Sequence, residues 1–170
     1  MKEITLEHVI MNFYKEGMIS FMQSNPRNFE RAIELALSDK QPLNWRSAWI
    51  LNSCMENNDP RLKQHVTRII LAIENKKGGH QRELLKILLK MDLEEDQEGL
   101  LFDTCLTIWE QTRLQPSVRY TAFYYIINVA LKHPELINEI RFLAADQYLD
   151  TLSPGIKNSV KRMVENLLKD

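Results

Sequence analysis

Four basic residues recur along the chain at a nearly constant interval. They lie 36, 37 and 38 residues apart, at Arg46, Arg82, Arg119 and Lys157. Seven residues before each stands a side chain that can bond a turn, at Asp39, Asn75, Thr112 and Asp150. The favoured interpretation is that each basic residue pairs with that side chain. The alternative is a row of cations that grips an acidic peptide or a phosphate, a task that suits the planar, multi-donor guanidinium.

A second basic feature is the stretch from residue 61 to residue 90. It holds two acidic residues and eight Lys or Arg, namely Arg61, Lys63, Arg68, Lys76, Lys77, Arg82, Lys86 and Lys90. Residues 91–112 hold seven acidic residues and no Lys or Arg. A basic strip can bind phosphates, but charge runs on helices are usually solvated faces, and the formal net charge of −1 provides no overall attraction to nucleic acid. Nucleic acid is therefore a possible but not a favoured partner.

Motifs that mark catalysis, nucleotide binding or metal binding are missing. Gly78 and Gly79 form the only glycine pair, and the sequence contains neither a Walker-type loop nor GxGxxG. The four histidines include no pair spaced i, i+4 and no HExxH motif. The acidic run that begins at Asp92 has Gln97 at the sixth position, where a calcium loop needs glycine. We therefore expect no enzymatic activity, no cofactor and no metal ion.

The six prolines indicate where helices begin, because proline is tolerated in the first turn of a helix. Before three of them, Asn25, Asp59 and Ser153 could cap the following helix. Apolar residues recur with a period near 3.6, and no period-two alternation indicates a strand. The chain is therefore predicted to be all-α, with helices at 3–22, 26–38, 42–57, 60–74, 80–91, 95–113, 116–132, 134–150 and 154–168.

The spacing of 36 to 38 residues, with two predicted helices in each interval, is typical of a helical solenoid. Residues 114–134, LQPSVRYTAFYYIINVALKHP, resemble the second half of a HEAT repeat, in which a proline turn leads into Val-Arg-x-x-Ala and an apolar helix. Residues 42–54 and 153–164 are weaker matches. The sequence departs from the family pattern at Thr112 and Arg113, where Asp is usual, and in helix 80–91, which lacks proline.

The resemblance to HEAT/armadillo-type repeats implies a right-handed α-α superhelix, a HEAT-like solenoid of about four helical hairpins. A chain of 170 residues most simply forms one domain, over residues 1–170. Within it, the resemblance implies an N-terminal capping helix in 1–24 and the hairpins in 25–170. In such folds the second helices line the concave face. The resemblance would therefore place six candidate binding residues along an inner ridge, namely Arg46, Arg82, Arg119, Lys157, Trp45 and Trp49.

The function expected from this resemblance is a non-enzymatic scaffold that binds a protein or peptide in its concave groove. The alternative is a nucleic-acid-binding repeat similar to the alkylated-DNA-binding repeats, which would use residues 61–90 and nearby aromatic side chains. A small enzyme built on a helical stack ranks last. The apolar N-terminal segment is predicted to cap the first repeat, with self-association as its alternative.

The sequence also favours a soluble, cytoplasmic protein. Cys54 and Cys105 form no CxxC motif, and the N-terminal segment lacks the apolar run and cleavage site of a signal peptide. The most apolar stretch, residues 122–131, is too short to span a bilayer. No membrane partner is expected, and the oligomeric state is left open.

Overall fold

The computed structural model describes residues 4–169, which contain eleven α-helices, three 3-10 helices and no strand. The prediction of an all-α, HEAT-like fold is confirmed. Contacts divide the chain into two compact units, Met1–Asp92 and Leu93–Asp170. The single domain over 1–170 stays a prediction. Residues 1–3 and 170, which the predicted domain and cap include, lie outside the described residues.

In the first unit, the described residues 4–92 contain six α-helices and one 3-10 helix. They are α1 (Leu6–Asn12), α2 (Lys15–Ser24), α3 (Asn28–Leu37), α4 (Leu43–Cys54), a 3-10 helix (Pro60–His65), α5 (Val66–Ile73) and α6 (Gly78–Leu88). Helix α4 packs against α3 and α6, and α5 packs against α6. Their apolar faces form the core, in which residues such as Ile33, Ile50, Ile70 and Leu88 are fully or almost fully buried.

The prediction of one helix over residues 3–22 is wrong, because the segment contains the two helices α1 and α2. Phe13 and Tyr14 have extended backbone between them. Gly17 leaves room for the Phe13 side chain, since a Cβ at that position would lie only 3.1 Å from Cδ2 of Phe13. The Phe13 ring therefore packs against the first turn of α2.

Asp59 caps the 3-10 helix that precedes α5. Its carboxylate is buried and accepts hydrogen bonds from the backbone N–H groups of Arg61 and Glu56. The Arg61 guanidinium donates to both of its oxygens, at 2.9 and 2.7 Å, and lowers the pKa of Asp59 to about 2. The predicted cap at Asp59 is therefore present, and the predicted helix 60–74 begins with a 3-10 turn. Ser153 also caps as predicted, whereas the Asn25 amide donates to the carbonyl of Phe21.

The second unit contains α7 (Glu95–Glu110), α8 (Pro116–Lys132), a 3-10 helix (Pro134–Leu136), α9 (Ile137–Ile140), a 3-10 helix (Arg141–Ala144), α10 (Asp146–Leu149) and α11 (Pro154–Leu167). Helix α8 packs against both α7 and α11. The prediction of one helix over 134–150 is wrong, because the segment is broken into short turns and Ala145 is extended. Trp109 Nε1 donates to the carbonyl of Leu143 at 3.0 Å, so a side chain of α7 forms a hydrogen bond with this irregular backbone.

Candidate functional site

A groove of about 570 Å³ lies in the first unit, beside α4 and the beginning of α6. Helix α4 contributes two tryptophans, and α6 contributes charged and polar side chains from its first two turns. The loops before the two helices complete the wall. The lining residues are Asp39, Gln41, Asn44, Trp45, Trp49, Asn75, Lys76, Lys77, Gly79, His80, Arg82 and Glu83.

Trp45 and Trp49 give the groove its apolar wall. They are four residues apart on α4, a spacing that places both side chains on one face of a helix. Trp45 is 44% exposed, which is unusual for so large an apolar residue. The Arg46 guanidinium lies 5.9 Å from the Trp45 ring, and the Lys15 ammonium lies 5.9 Å from the Trp49 ring. Both rings thus offer contact area beside a positive charge.

Two buried side chains of α6, Glu83 and His80, also line the groove. The Glu83 carboxylate accepts from the Asn52 amide and the Lys86 ammonium at 3.2 Å each, and lies 3.4 Å from the Arg82 guanidinium. Its charge is therefore already compensated within the protein. His80 Nε2 bonds the carbonyl of Ala36 at 2.7 Å, and burial lowers its pKa. The imidazole is neutral at pH 7 and acts as a hydrogen-bond donor to that carbonyl.

Lys76 and Asp39 form an ion pair at the edge of the groove. The Lys76 ammonium donates to Asp39 Oδ1 at 2.7 Å and to the carbonyl of Ser38 at 3.0 Å. Only 7% of the Lys76 side chain is exposed, against 96% for Asp39. The hydrogen bond from Lys76 lowers the pKa of Asp39, so the carboxylate is ionised at neutral pH.

The four recurring basic residues make different contacts. Lys157 lies 3.8 Å from Asp150, the pairing that the sequence favoured. Asp39, the expected partner of Arg46, bonds Lys76 instead, and Arg46 lies against Trp45. Arg82 contacts its neighbour Glu83. The binding roles expected for Arg46, Arg82, Lys157, Trp45 and Trp49 stay predictions, although the groove brings Trp45, Trp49 and Arg82 together.

The prediction that Arg119 belongs to an accessible ridge is wrong, because its side chain is 0% exposed. Its guanidinium donates to the carbonyls of Trp109 and Tyr148 and to the hydroxyl of Thr151, at 3.0, 2.7 and 3.0 Å. It also lies 4.6 Å from the Trp109 ring. Burial lowers its pKa. Arg119 is a structural residue of the second unit.

Most basic residues of the 61–90 stretch also have partners inside the first unit. Arg68 bonds Glu34 in a two-pronged contact at 2.8 and 3.1 Å. Lys90 donates to the carbonyl of Asn52 at 2.6 Å, and Lys86 contacts Glu83. Arg61 and Lys76 hold Asp59 and Asp39, whereas Lys63 and Lys77 are exposed. A phosphate would have to compete with these existing partners for most of the stretch.

Sequence reasoning missed the pairs Arg68–Glu34 and Lys76–Asp39 because each acidic partner lies one repeat earlier. Glu34 and Arg68 are 34 residues apart, and Asp39 and Lys76 are 37 apart. In the second unit Glu98 accepts from Lys132, 34 residues later. Opposite charges spaced by the repeat period were the signal that could have revealed them.

The described residues give no sign of a metal site or a membrane span. Within residues 4–169, no group of three or more His, Cys, Asp or Glu is placed to hold a metal ion. None of the helices there is both long and apolar enough to cross a bilayer. Cys54 and Cys105 are free thiols, and burial raises the pKa of each, so neither is an activated nucleophile.

Paired helices, linked by ion pairs between side chains 34 to 37 residues apart, define the chain as a helical-repeat protein. The profile of the HEAT repeat domain matches residues 4–167, and the chain therefore belongs to that family. Comparison with curated proteins and with solved structures finds no match. HEAT repeats are generally non-catalytic scaffolds that mediate protein interactions.

Proposed function

We propose that this chain is a non-enzymatic interaction module that holds a segment of a partner protein in the groove beside α4 and α6. The observation that carries the proposal is the groove itself, with two tryptophans on its wall and converging polar groups. Large aromatic side chains in a concave site supply most of the binding energy in many protein interfaces. The two free thiols agree with a cytoplasmic location, which belongs to the same proposal.

A peptide segment fits the groove better than nucleic acid does. Several basic side chains of residues 61–90 are engaged by Glu34, Asp59 and Glu83 of the same unit. Binding of a nucleic acid depends on cations that can neutralise phosphates. The tryptophan wall, in contrast, lies open and can accept an apolar side chain without breaking any of these pairs.

A displayed library of random twelve-residue peptides, selected against the full chain, tests the proposal. We expect enriched peptides whose affinity falls by about thirtyfold when Trp45 and Trp49 are both changed to Ala, because removal of an aromatic hot spot costs about 2 kcal/mol or more. Isothermal titration with synthetic peptides measures the loss.

The matched control is Tyr124→Ala, because Tyr124 is exposed to a similar degree as Trp45, 46% against 44%, and lies on α8 outside the groove. This variant should bind the peptides as the unchanged chain does. Circular dichroism verifies that each variant remains folded. If no enriched peptide depends on the two tryptophans, the groove is not the binding site and the proposal fails.

A further inference from the structure

The buried ammonium of Lys76 is balanced by an acid that the fold scarcely holds. The side chain of Lys76 is 7% exposed, and its acidic partner in the structure is Asp39. A cation shielded from water needs a counter-charge nearby. The Asp39 carboxylate, 96% exposed, belongs to a residue of the α3–α4 loop, and it accepts from the Lys76 ammonium at 2.7 Å.

Exchange of Asp39 for another carboxylate would cost little. Asp39 would return to water from a position where it is already almost fully hydrated, so its release requires little new solvation. Lys76 would keep its position, because the carbonyl of Ser38 holds the ammonium independently at 3.0 Å. An ammonium group has three donors, and the bonds to Ser38 and Asp39 account for two of them.

The surroundings of Lys76 favour a negatively charged replacement. Three basic side chains line the groove (Lys76, Lys77 and Arg82), and the acidic ones are Asp39 and Glu83. Glu83 is 4% exposed and already contacts Asn52, Lys86 and Arg82. When Asp39 leaves, the accessible rim is therefore positive, and the tryptophans stand beside it.

From this geometry we infer that the groove selects an acidic segment and that Asp39 occupies the position of that segment's carboxylate on Lys76. The partner is then a peptide with an Asp or Glu set beside an apolar residue, which contacts Trp45 or Trp49. Asp39 acts as a built-in competitor that keeps the affinity moderate. The inference rests on the proposed function, since it specifies what the same groove binds.

Fluorescence anisotropy on the full chain tests the inference, with two fluorescein-labelled probes. One is the most enriched tryptophan-dependent peptide of the library. The other is the same peptide with every Asp and Glu replaced by Asn and Gln. The variants are Asp39→Ala, Asp39→Asn, Lys76→Met and, as matched control, Glu74→Gln. Glu74 is exposed and close in sequence, and it does not line the groove.

We expect enriched peptides to be acidic and to bind Asp39→Ala about threefold more tightly than the unchanged chain, the effect of one exposed charge pair. Asp39→Asn should lie between the two, since its amide oxygen still accepts from Lys76. Lys76→Met should weaken binding, and Glu74→Gln should leave it unchanged. The neutral probe should bind more weakly and should not respond to Asp39→Ala.

The outcomes separate the inference from the proposed function. Tryptophan-dependent peptides without acidic residues, or equal affinities for the unchanged chain and Asp39→Ala, overturn the inference and leave the groove as a peptide site. Equal gains from Asp39→Ala and Glu74→Gln also overturn it, because they would reflect net charge alone. If no peptide depends on the tryptophans, the proposed function fails and the inference fails with it.

Discussion

Arg82 in the first unit and Arg119 in the second stand at equivalent positions, 37 residues apart, near the starts of α6 and α8. Arg82 lines an open groove and contacts a carboxylate. Arg119 is fully buried and donates to two carbonyls and a hydroxyl. One position of the repeat therefore provides a groove-lining cation in one unit and a core residue in the other.

The difference arises from the backbone that lies next to each arginine. After α8 comes irregular backbone over residues 134–152, whose carbonyls need donors that a regular helix would supply itself. Arg119 serves Tyr148 and Thr151 in this segment. Arg82 of α6, in contrast, lines a groove together with the side chains of Asp39, Trp45 and Trp49. The repeat pattern fixes where a basic residue stands, and the neighbouring backbone decides whether it is buried.

Removal of Arg119 should lower the stability of the protein more than any other single substitution proposed for either unit. Arg119→Met leaves the carbonyls of Trp109 and Tyr148 without this donor, and we expect it to destabilise the second unit by about 3 kcal/mol or more. Arg119→Lys should cost less but remain destabilising, because an ammonium lacks the planar fork. Urea unfolding combined with hydrogen exchange of residues 95–167 measures the loss.

The control for this prediction is Arg113→Met, which removes an exposed arginine of the same unit. It should change the free energy of unfolding by about 0.5 kcal/mol or less. A cost below about 1 kcal/mol for Arg119→Met would mean that the buried guanidinium contributes little, and the contrast with Arg82 would then lose its physical basis.

Asp59 should give an intermediate effect that depends on pH. Its folded pKa of about 2 lies below the unfolded value of about 3.9. Its stabilising contribution is thus fully present above pH 4 or so and disappears as the pH falls through about 2. We expect Asp59→Asn to cost about 2 kcal/mol at pH 7 and much less near pH 2.

Urea titrations of the unchanged chain and of Asp59→Asn, at several pH values between 2 and 7, measure how the cost of the substitution depends on pH. The same titrations on Arg119→Met provide the comparison, because the carbonyl and hydroxyl partners of Arg119 do not titrate in this range. A cost of Asp59→Asn that stays constant across the range would contradict the ion pair with Arg61.

The smallest effect is expected at the Arg68–Glu34 pair, where about half of each side chain is exposed, 53% and 42%. A double-mutant cycle with Arg68→Met and Glu34→Gln should give a coupling energy of about 0.5 kcal/mol that weakens further in high salt. A coupling energy above about 2 kcal/mol would show that single surface pairs, not burial, fasten the helix pairs of the first unit.

Much of the fold was predictable from the sequence, because proline positions and apolar periodicity report directly on helices. Helices α8 and α11 begin at Pro116 and Pro154 as predicted. The broken segment 134–149 was not predictable from local sequence, since donors from Trp109 and Arg119 determine its course. The start of α6 also differs from the prediction. The helix begins at Gly78, which has a positive φ of 53°, and not at residue 80.

The candidate site was predictable only in part. Trp45, Trp49 and Arg82 were named from the sequence, and they line one groove. Asp39 was expected beside Arg46, and its actual partner Lys76 follows from packing between successive repeats. The burial of Arg119 depends on backbone that folds over it, which a repeat pattern in sequence does not encode.

Hydrogen exchange of the full chain, with and without a saturating enriched peptide, tests most directly whether the groove is the binding site. We predict that amides in residues 39–49 and 75–83 exchange more slowly in the complex. Residues 95–167, including those around Arg119, should exchange as before. Protection confined to the second unit, or no protection beside the tryptophans, would contradict the assignment of the groove as the binding site.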